Sequence, residues 1–518
     1  MSTIRLTLAG KIVIFLLIVS IVGSATYFLG GFDSISNLFD KKVSSNAQTN
    51  TGSELPKSNS KDDSTIVLSL DEWIGWKSIL DANGGLETKE GSIFSELGIN
   101  VKILIMNEAT QSSNALIKGD LNGAGYTVNR YAFLYDKFKR ANLEVVMPYI
   151  TNSSTGGDGI IAKKNINSIE DLIGKKIGVP RFSEAQTLIE WLLSKSSLSS
   201  DQVNQLRKSM VFFDTPDDAA KAFFAGKIDA AGTWQPYLTQ AQQTTGAKVL
   251  FSTKTATNII LDGIVFRKDF VDNNKETIQK FIEGTLKAEK MYKTDFNAIK
   301  DSMPLFTTET DENILSMTAD ATLSNATVNK KLLDGIAQSL FRDMSQIWIQ
   351  LGESANPDYA DKAFDNSFVN SIATETTVET EQVPKFTEKQ RNAAKAQDNM
   401  AALLKTSLTV NFEPNLAVIK EESYESLNKF ADTAKILNGA IIQIEGNVSA
   451  VGKPTPEYDQ KLSYQRAKAV ATYLQVQGVD PSRFVIIGNG TSKQISDNKT
   501  KEGQLKNRRT DMFFKLVE

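Results

Sequence analysis

The sequence predicts an α/β fold followed by a smaller α+β domain, with one N-terminal transmembrane helix in front of both. Three observations support this prediction. Residues 65–350 alternate short β-branched runs with amphipathic helices, residues from 407 onward follow the order βαβαββ, and residues 12–32 carry no charged side chain. Alternating strands and helices are typical of largely parallel sheets covered by helices.

The individual elements follow from the periodicity of apolar residues. In the α/β region, strands are predicted at 65–70, 101–106, 143–150, 175–180, 209–213, 247–251 and 263–267. Helices are predicted between them, for example at 183–195, 216–225 and 274–292. In the last part of the chain, the order is strand 407–412, helix 417–437, strand 440–446, helix 460–477, strand 483–490 and strand 510–517.

Shifts in composition divide the chain into five segments. Residues 33–64 are polar, rich in Ser, Asn, Thr, Lys and Asp, and without an apolar period, which predicts a flexible tether. An acidic, threonine-rich stretch followed by an alanine-rich helical run at 387–405 predicts a linker, with the run as a spacer helix or as the first helix of the last domain. The predicted division is a transmembrane anchor or signal peptide (1–32), the tether (33–64), the α/β domain (65–350), the linker (351–406) and the α+β domain (407–518).

The absence of two residue types limits the possible chemistry. The 518 residues include no cysteine and no histidine, which excludes imidazole or thiolate zinc sites and Ser-His-Asp or Cys-His nucleophiles. It also excludes a lipidated cysteine and disulfides. The net charge of −3 gives no support to nucleic-acid binding. Carboxylate chemistry stays possible on composition alone. We expect no enzymatic activity, catalytic residue, metal or cofactor.

The apolar segment at the N-terminus predicts export. About 21 helical residues span a hydrocarbon core of about 30 Å, and Arg5 and Lys11 place the N-terminus in the cytoplasm. The alternative is a signal peptide cleaved after Gly23-Ser24-Ala25. The span carries no carboxylate of the kind an ion path requires, so it is predicted to be an anchor. The predicted location is the inner membrane, single-pass, with the bulk of the chain in the periplasm.

Six motifs in the α/β region resemble one family of binding proteins. They are SLDEWIGW (69–76), KGDLNGAGYT (118–127), TGGDGIIAKK (155–164), IEDLIGKKIGVP (169–180), AFFAGKIDAAGTWQPY (222–237) and LDGIVFRKDF (261–270). Their order resembles periplasmic solute-binding proteins of the nitrate, sulfonate and taurine class of ABC importers. The resemblance implies a bilobed fold of periplasmic-binding-protein type II, with crossings between the lobes near 150–158 and 251–262. Pyrimidine-synthase relatives of this fold depend on a histidine that the chain lacks.

Candidate ligand-binding residues follow from this resemblance and from the predicted helix starts, which present backbone N–H groups to a ligand. They are Trp76, Asp158, Arg181, Ser183, Gln186, Thr187, Trp234 and Asp262. Each has a structural alternative: Ser183 caps its helix, the tryptophans belong to the core or rim, and the two aspartates cap turns. If both aspartates face the cleft, an amine or amide is favoured over an oxyanion. The ligand class, anion or amine, stays open from sequence.

The last domain resembles the OmpA-like peptidoglycan-binding family. The matching motifs are IEGN (444–447), YDQKLSYQRA (458–467), GVDPSR (478–483), GNG (488–490), NKTKEG (498–503) and NRR (507–509). In that family, an aspartate and an arginine hold the diaminopimelate of the peptide stem. Arg466 matches the arginine, but Ser449 stands in place of the aspartate, after which Lys453–Glu457 contains about two extra residues. Asp459 and Arg508 complete the candidate set, and the alternative is that the arginines form structural ion pairs only.

Together these features predict a membrane-anchored extracytoplasmic solute-binding receptor attached to the cell wall. The expected partners are a small-molecule ligand, peptidoglycan and the membrane, without nucleic acid. Two alternatives remain: the substrate-binding subunit of an ABC importer, which requires a permease, and a structural subunit of an envelope-spanning complex, which requires another multi-span membrane protein.

Overall fold

The computed structural model describes residues 65–291, 294–372, 385–396, 403–413, 415–450 and 455–516. The predicted transmembrane segment and the tether up to residue 64 lie outside these residues, as do 373–384 of the predicted linker. Among the described residues, no helix combines the length and hydrophobicity needed to cross a bilayer.

Sixteen strands of the described chain form three sheets. The strands are β1 (Ile66–Leu70), β2 (Val101–Ile105), β3 (Gly123–Thr127), β4 (Val145–Val146), β5 (Ile150–Ser154), β6 (Asp158–Lys163), β7 (Ile177–Pro180), β8 (Met210–Phe213), β9 (Ala230–Trp234), β10 (Ala247–Ser252), β11 (Leu261–Arg267), β12 (Ala321–Leu323), β13 (Leu404–Leu408), β14 (Ile441–Gly446), β15 (Phe484–Gly488) and β16 (Thr510–Lys515). The sheet orders are β12-β5-β11-β3-β1-β2 with β4 on β11, then β10-β6-β9-β7-β8, and finally β13-β16-β14-β15.

Helices surround these sheets. They are α1 (Lys77–Asn83), α2 (Ile93–Glu96), α3 (Ala109–Lys118), α4 (Val128–Arg140), α5 (Glu184–Lys195), α6 (Ser200–Lys208), α7 (Pro216–Phe224), α8 (Tyr237–Gln243), α9 (Lys268–Asn273), α10 (Lys275–Met291), α11 (Asn297–Ser302), α12 (Asp311–Ala319), α13 (Ala326–Lys331), α14 (Ala337–Gln350), α15 (Ala360–Ala363), α16 (Ser367–Ser371), α17 (Glu388–Ala396), α18 (Tyr424–Ile436), α19 (Pro456–Val476) and α20 (Lys501–Asn507). Short 3-10 turns connect several of them.

The first two sheets form the two lobes of a periplasmic-binding-protein-like fold. The chain passes from the first sheet to the second between β5 and β6, and returns between β10 and β11. These passages fall where the sequence predicts the crossings. The sheets are more mixed than predicted, because β11 is antiparallel to β3 and β5, and β6 is antiparallel to β9 and β10. The strands that enter a lobe at a crossing, β6 and β11, run against the parallel strands of that lobe.

The two-lobed region extends beyond residue 350, to Ile372. The Tyr131 hydroxyl donates to the Ala363 carbonyl at 3.0 Å, and the same carbonyl accepts from the Met147 amide at 2.8 Å. Phe364 packs edge-on against the Tyr131 ring. The helices of this stretch are only four and five residues long, too short to show a helical period in the sequence.

The C-terminal domain, residues 403–516, has the predicted βαβαββ order with one addition, since α20 lies between the last two strands. β14 is parallel to β15 and antiparallel to β16, and β16 also pairs with β13. The first strand begins at Leu404, three residues earlier than predicted. The helix predicted over 387–405 is therefore wrong at its end, because Leu404 pairs with Phe514 of β16.

Candidate functional site

An ion pair between the two lobes locates the candidate ligand cleft. Arg130 lies in the first turn of α4, directly after β3, and Glu184 is the first residue of α5, shortly after β7. Arg130 Nη2 lies 3.1 Å from Glu184 Oε1. Both helices start at the carboxyl ends of parallel strands, which is where ligands bind in open α/β sheets.

Three further carboxyls interact with this ion pair. Asp71, directly after β1, accepts a 2.6 Å bond from the indole nitrogen of Trp76. Asp158, at the start of β6, accepts a 2.8 Å bond from Ser154 Oγ. Asp262 is 4% exposed on β11 and lies near the Trp73 indole, whose N–H donates to Asn152 Oδ1 at 3.1 Å. The two interlobe crossings therefore each contribute a carboxyl to the cleft.

Burial keeps these carboxyls from ionising at their ordinary pKa. Desolvation raises the pKa of Asp71 and raises that of Asp158 from 3.8 to about 7. Desolvation also raises the pKa of Asp262 well above its ordinary value, and repulsion from Asp71, Glu184 and Asp158 adds to the effect. Attraction to Glu184 is the main cause of the raised pKa of Arg130.

The aspartates do not cap turns, which corrects the structural alternative considered from sequence. Asp158 pairs with Trp234 in the β6–β9 register, and Asp262 pairs with Asn152 and Thr127 on the two neighbours of β11. Both residues therefore occupy strand positions, and the register of β11 with β5 shifts directly after Asp262.

The predicted anion-binding helix start is satisfied within the chain. Ser183 Oγ accepts from the Gln186 amide at 3.1 Å and donates to the Pro180 carbonyl at 2.8 Å, as a helix cap does. The buried Gln186 side chain accepts from the Phe182 amide, and buried Thr187 bonds Glu184 and Asn129. Exposed Arg181 stacks on the ring of Phe212, 4.2 Å from its centroid.

The two candidate tryptophans have different surroundings. Trp76 is 1% exposed, so its ring lies beneath Asp71 in the core and reaches the cleft only through its N–H group. Trp234 is 44% exposed at the end of β9, and its indole nitrogen donates to Asp217 at 2.9 Å.

A cavity of about 320 Å³ lies beside the interlobe ion pair. Arg130, Glu184, Phe182 and Trp348 line it together with Asn129. The Asn129 amide oxygen is buried and lacks a hydrogen-bond partner among the described residues. A volume of this size suits a small ligand.

In the C-terminal domain, Arg466 forms the centre of a positively charged site. It lies on α19 and is 7% exposed; its Nε donates to the Leu416 carbonyl at 3.1 Å, and its guanidinium stacks on Phe412. Burial and then the charge of nearby Arg508 lower the pKa of Arg466. No ion pair of Arg466 occurs within the described residues. Arg509, by contrast, is paired with Asp511 at 2.9 Å.

Ser449 and Asp459 both precede Arg466 in the sequence. Ser449 is partly exposed in the loop after β14, and Asp459 is partly exposed in the first turn of α19. Residues 451–454 between them, which include part of the inserted stretch, lie outside the described residues. The described residues contain no group of three or more acidic side chains placed to hold a metal ion.

Comparisons with known proteins identify both folds. The NMT1/THI5-like family matches residues 88–295, and the OmpA family matches residues 411–508. The chain is a fusion of an NMT1/THI5-like domain and an OmpA domain. Its NMT1/THI5-like domain is 24% identical over 214 residues to a binding protein of Brucella abortus, covering 40% of this chain and 64% of that protein.

The OmpA domain has closer relatives. It is 34% identical over 113 residues to outer membrane protein A of Bordetella avium, covering 22% of this chain and 57% of that protein. It is 32% identical over 111 residues to the peptidoglycan-associated lipoprotein of Pseudomonas putida, covering 21% and 65%. The chain thus spans less than two thirds of the length of each of these curated relatives, between 57% and 65%.

Two solved structures are similar to parts of the chain. The periplasmic aliphatic sulphonate binding protein SsuA of Escherichia coli is 16% identical, with 56% of this chain and 92% of that chain covered at a TM-score of 0.44. The peptidoglycan-associated lipoprotein of Burkholderia pseudomallei is 26% identical, with 21% and 89% covered at a TM-score of 0.20.

Sequence reasoning missed Asp71, Trp73, Asn129, Arg130 and Glu184 of the NMT1/THI5-like domain. Asp71 follows a predicted strand, so the position of a charged residue at a strand end was an available signal. Arg130 was hidden because β3, with the sequence GAGYT, contains two glycines and lacks the β-branched run that marks a strand.

Proposed function

We propose that this protein is a membrane-anchored extracytoplasmic receptor that binds a cationic solute in its cleft and attaches to the cell wall through its OmpA domain. The observation that carries the proposal is the convergence of Asp71, Asp262 and Glu184 around one guanidinium, that of Arg130, with Asp158 close enough to interact with Glu184 and Asp262. The match to NMT1/THI5-like proteins supports a binding role for this cleft.

The charge balance of the cleft favours an amine or other cation. Arg130 is already paired with Glu184, and Asp71 and Asp158 accept hydrogen bonds from the neutral Trp76 indole and Ser154 hydroxyl. A bound cation lowers the pKa of nearby carboxyls and stabilises their ionised form. A sulfonate or nitrate would instead add negative charge to this desolvated site. We therefore expect the ligand to differ in charge from the sulphonate named for the SsuA relative.

The wall-binding role rests on Arg466. Among the described residues Arg466 has no carboxylate partner, and Arg508 lies nearby. Such an arginine is suited to a bidentate contact with a carboxylate. In the proposed complex this carboxylate belongs to the diaminopimelate of a peptide stem. Ser449 gives its ammonium group only a neutral hydroxyl, so we expect weak binding to free stems.

Anchoring rests on the apolar residues 12–32, which follow Arg5 and Lys11. An anchored receptor differs from the two alternatives in its partners. The substrate-binding subunit of an importer is expected to co-purify with an ABC permease, and a structural subunit with another multi-span membrane protein.

Calorimetric titration of the full-length protein in detergent tests the ligand class. Putrescine and methanesulfonate serve as probes of opposite charge. We expect putrescine to bind and its affinity to rise from about pH 5 to about pH 8, because Asp158, whose pKa is raised to about 7, ionises over this range. Methanesulfonate is expected not to bind.

Two variants control this experiment. Asp262→Asn removes a cleft charge and is expected to weaken putrescine binding by about 1.5–3 kcal/mol. Asp272→Asn is the matched control, since Asp272 pairs with Lys268 at the surface of α9. Binding of methanesulfonate without binding of putrescine would refute a cation-specific cleft.

A further inference from the structure

We infer that the OmpA domain holds the second interlobe crossing of the NMT1/THI5-like domain and thereby controls how far the two lobes open. The crossing segment is defined as residues 253–260, between β10 and β11. This inference goes beyond the proposed function and needs no ligand to be identified.

Four hydrogen bonds join the crossing segment to the end of α18 in the OmpA domain. The Gly439 amide donates to the Thr255 carbonyl at 2.9 Å. Asn438 accepts from the Thr257 amide at 3.2 Å and donates to the Thr257 hydroxyl at 2.6 Å. Asn258 donates to the Lys435 carbonyl at 3.1 Å. Both asparagines are buried, so breaking these bonds leaves polar groups shielded from water.

The contact depends on close approach of two backbones. A Cβ atom placed on Gly439 would lie 2.7 Å from the Cα of Thr255. Any side chain at position 439 therefore pushes the crossing segment away. The φ angle of Gly439 is not positive. The close approach to Thr255, and not the backbone conformation, therefore requires a glycine at this position.

The same crossing segment is bonded to the cleft. Thr253 Oγ1 lies 3.0 Å from Ser154 Oγ, accepts from the Asp158 amide at 3.3 Å and donates to the Asp158 carbonyl at 3.2 Å. Ser154 in turn donates to the Asp158 carboxyl. Thr253 and Thr255 belong to one 3-10 turn, so a short rigid unit connects the cleft carboxyl to Gly439.

The OmpA side of the contact is also fixed. The buried guanidinium of Arg483 donates to the carbonyls of Ala434, Leu437 and Ala440, which holds the chain on both sides of Asn438 and Gly439. Lobe closure about two crossings requires backbone rotation within them. Because one crossing is bonded to a rigid element, closure must either carry the OmpA domain along or break its bonds.

A disulfide tests whether the contact exists in solution. The native chain has no cysteine, so the pair Thr257→Cys and Asn438→Cys introduces the only two thiols. We expect this pair to cross-link almost completely under mild oxidation in the full-length protein in detergent. The control pair Thr257→Cys and Asn428→Cys uses another asparagine, on α18, that bonds Tyr473 within the domain; it is expected not to cross-link.

Distances between two spin labels, measured by double electron-electron resonance, test whether the OmpA domain controls how far the lobes open. Spin labels at Asn114→Cys on α3 and Asn204→Cys on α6 report the separation of the lobes, since both residues are exposed and lie on different lobes. Asn438→Ala is expected to change the ratio of open to closed lobes by about fivefold, the effect of about one lost buried hydrogen bond. Asn428→Ala is expected to leave the ratio unchanged.

The two experiments distinguish the existence of the contact from its effect on lobe opening. A distance distribution altered by Asn438→Ala but not by Asn428→Ala, together with the cross-link, supports the inference. Failure of the Thr257–Asn438 cross-link overturns the contact. A cross-link combined with identical lobe distances in the native protein and Asn438→Ala overturns the control of opening. Neither failure affects the ligand class or the wall binding proposed above.

Discussion

Lys493 Nζ lies 2.8 Å from Glu445 Oε2 inside the OmpA domain, where the Glu445 carboxylate is buried. Gln443 and Asn489 donate to the same carboxylate at 2.6 and 2.7 Å. Glu445 is adjacent in sequence to the loop of Ser449 and is the nearest buried acid to it along the chain. Because its charge is neutralised in place, we do not expect Glu445 to bind the ammonium group of a peptide stem.

Ser449→Asp is therefore expected to strengthen binding to diaminopimelate-type peptidoglycan by about tenfold or more. A charge-assisted bond to an ammonium group is worth about 1.5–3 kcal/mol more than a contact with a neutral hydroxyl. Pull-down of the full-length protein by purified sacculi measures the effect. Arg466→Ala is expected to abolish binding in both backgrounds. If binding survives Arg466→Ala, the OmpA domain has no arginine-centred stem site.

A matched control addresses the remaining acid near the loop. Asp459→Asn is expected to leave pull-down of the native protein unchanged if the ammonium group has no carboxylate partner. Tight native binding that Ser449→Asp leaves unchanged and Asp459→Asn removes would assign the missing role to Asp459 instead.

Much of the architecture could be predicted because buried strands such as β1 (IVLSL) and β14 (IIQIEG) are rich in β-branched and other apolar residues. The missed strands β3, β6 and β9 contain glycine, alanine or an aspartate at the cleft, where ligand access and close packing override strand propensity. Gly125, for example, packs so closely on Trp76 that a Cβ there would lie 2.7 Å from the indole ring. Such contacts join distant parts of the chain and leave no local pattern.

The candidate site was predictable in part for the same reason. Asp158 and Asp262 are recognisable because they flank the interlobe crossings, whereas Arg130 and Glu184 meet only after both lobes fold. The start of α5 was predicted to bind an anion from its local sequence. In the structure, Ser183 caps this helix and Glu184 places a negative charge in its first turn, which makes the same position unfavourable for an anion.

The apolar residues 12–32 predict that the full-length protein fractionates with membranes and resists carbonate extraction. External protease is expected to release a fragment that begins within residues 33–64, because the tether is polar and lacks an apolar period. N-terminal sequencing of the purified protein provides the check. A mature N-terminus at Thr26 would show that the segment is a cleaved signal peptide.

Substitution of Trp76 is expected to affect stability, and substitution of Trp234 is expected to affect ligand binding. Trp76→Ala should cost about 3–5 kcal/mol of unfolding free energy, since the ring is buried and its loss leaves a cavity. Trp234→Ala should change stability by less than about 0.5 kcal/mol but weaken ligand binding by about 1–3 kcal/mol. Urea denaturation and calorimetry measure the two effects. Unchanged affinity in Trp234→Ala would place this ring outside the ligand site.

Arg483 is expected to be important for the stability of the OmpA domain. Its guanidinium satisfies three carbonyls at the end of α18, so Arg483→Ala should lower the unfolding free energy by about 3 kcal/mol or more. Arg508→Ala is the control, because Arg508 is exposed, and should change stability by less than about 0.5 kcal/mol. Equal effects of the two substitutions in thermal denaturation would contradict a capping role for Arg483.

The raised pKa of Asp158 predicts how stability depends on pH. The carboxyl binds a proton more tightly in the folded protein, with a pKa of about 7 against an ordinary value of 3.8. Its contribution to stability is therefore complete below about pH 4 and is lost as the pH rises through about 7. Asp158→Asn removes this titration, while the amide oxygen still accepts from Ser154. The variant is expected to gain roughly 2–4 kcal/mol over the native protein between about pH 4 and about pH 8. Urea denaturation of both proteins across this range measures the difference. A constant difference would show that Asp158 ionises at its ordinary pKa, and would remove the electrostatic argument for a cationic ligand at this carboxyl.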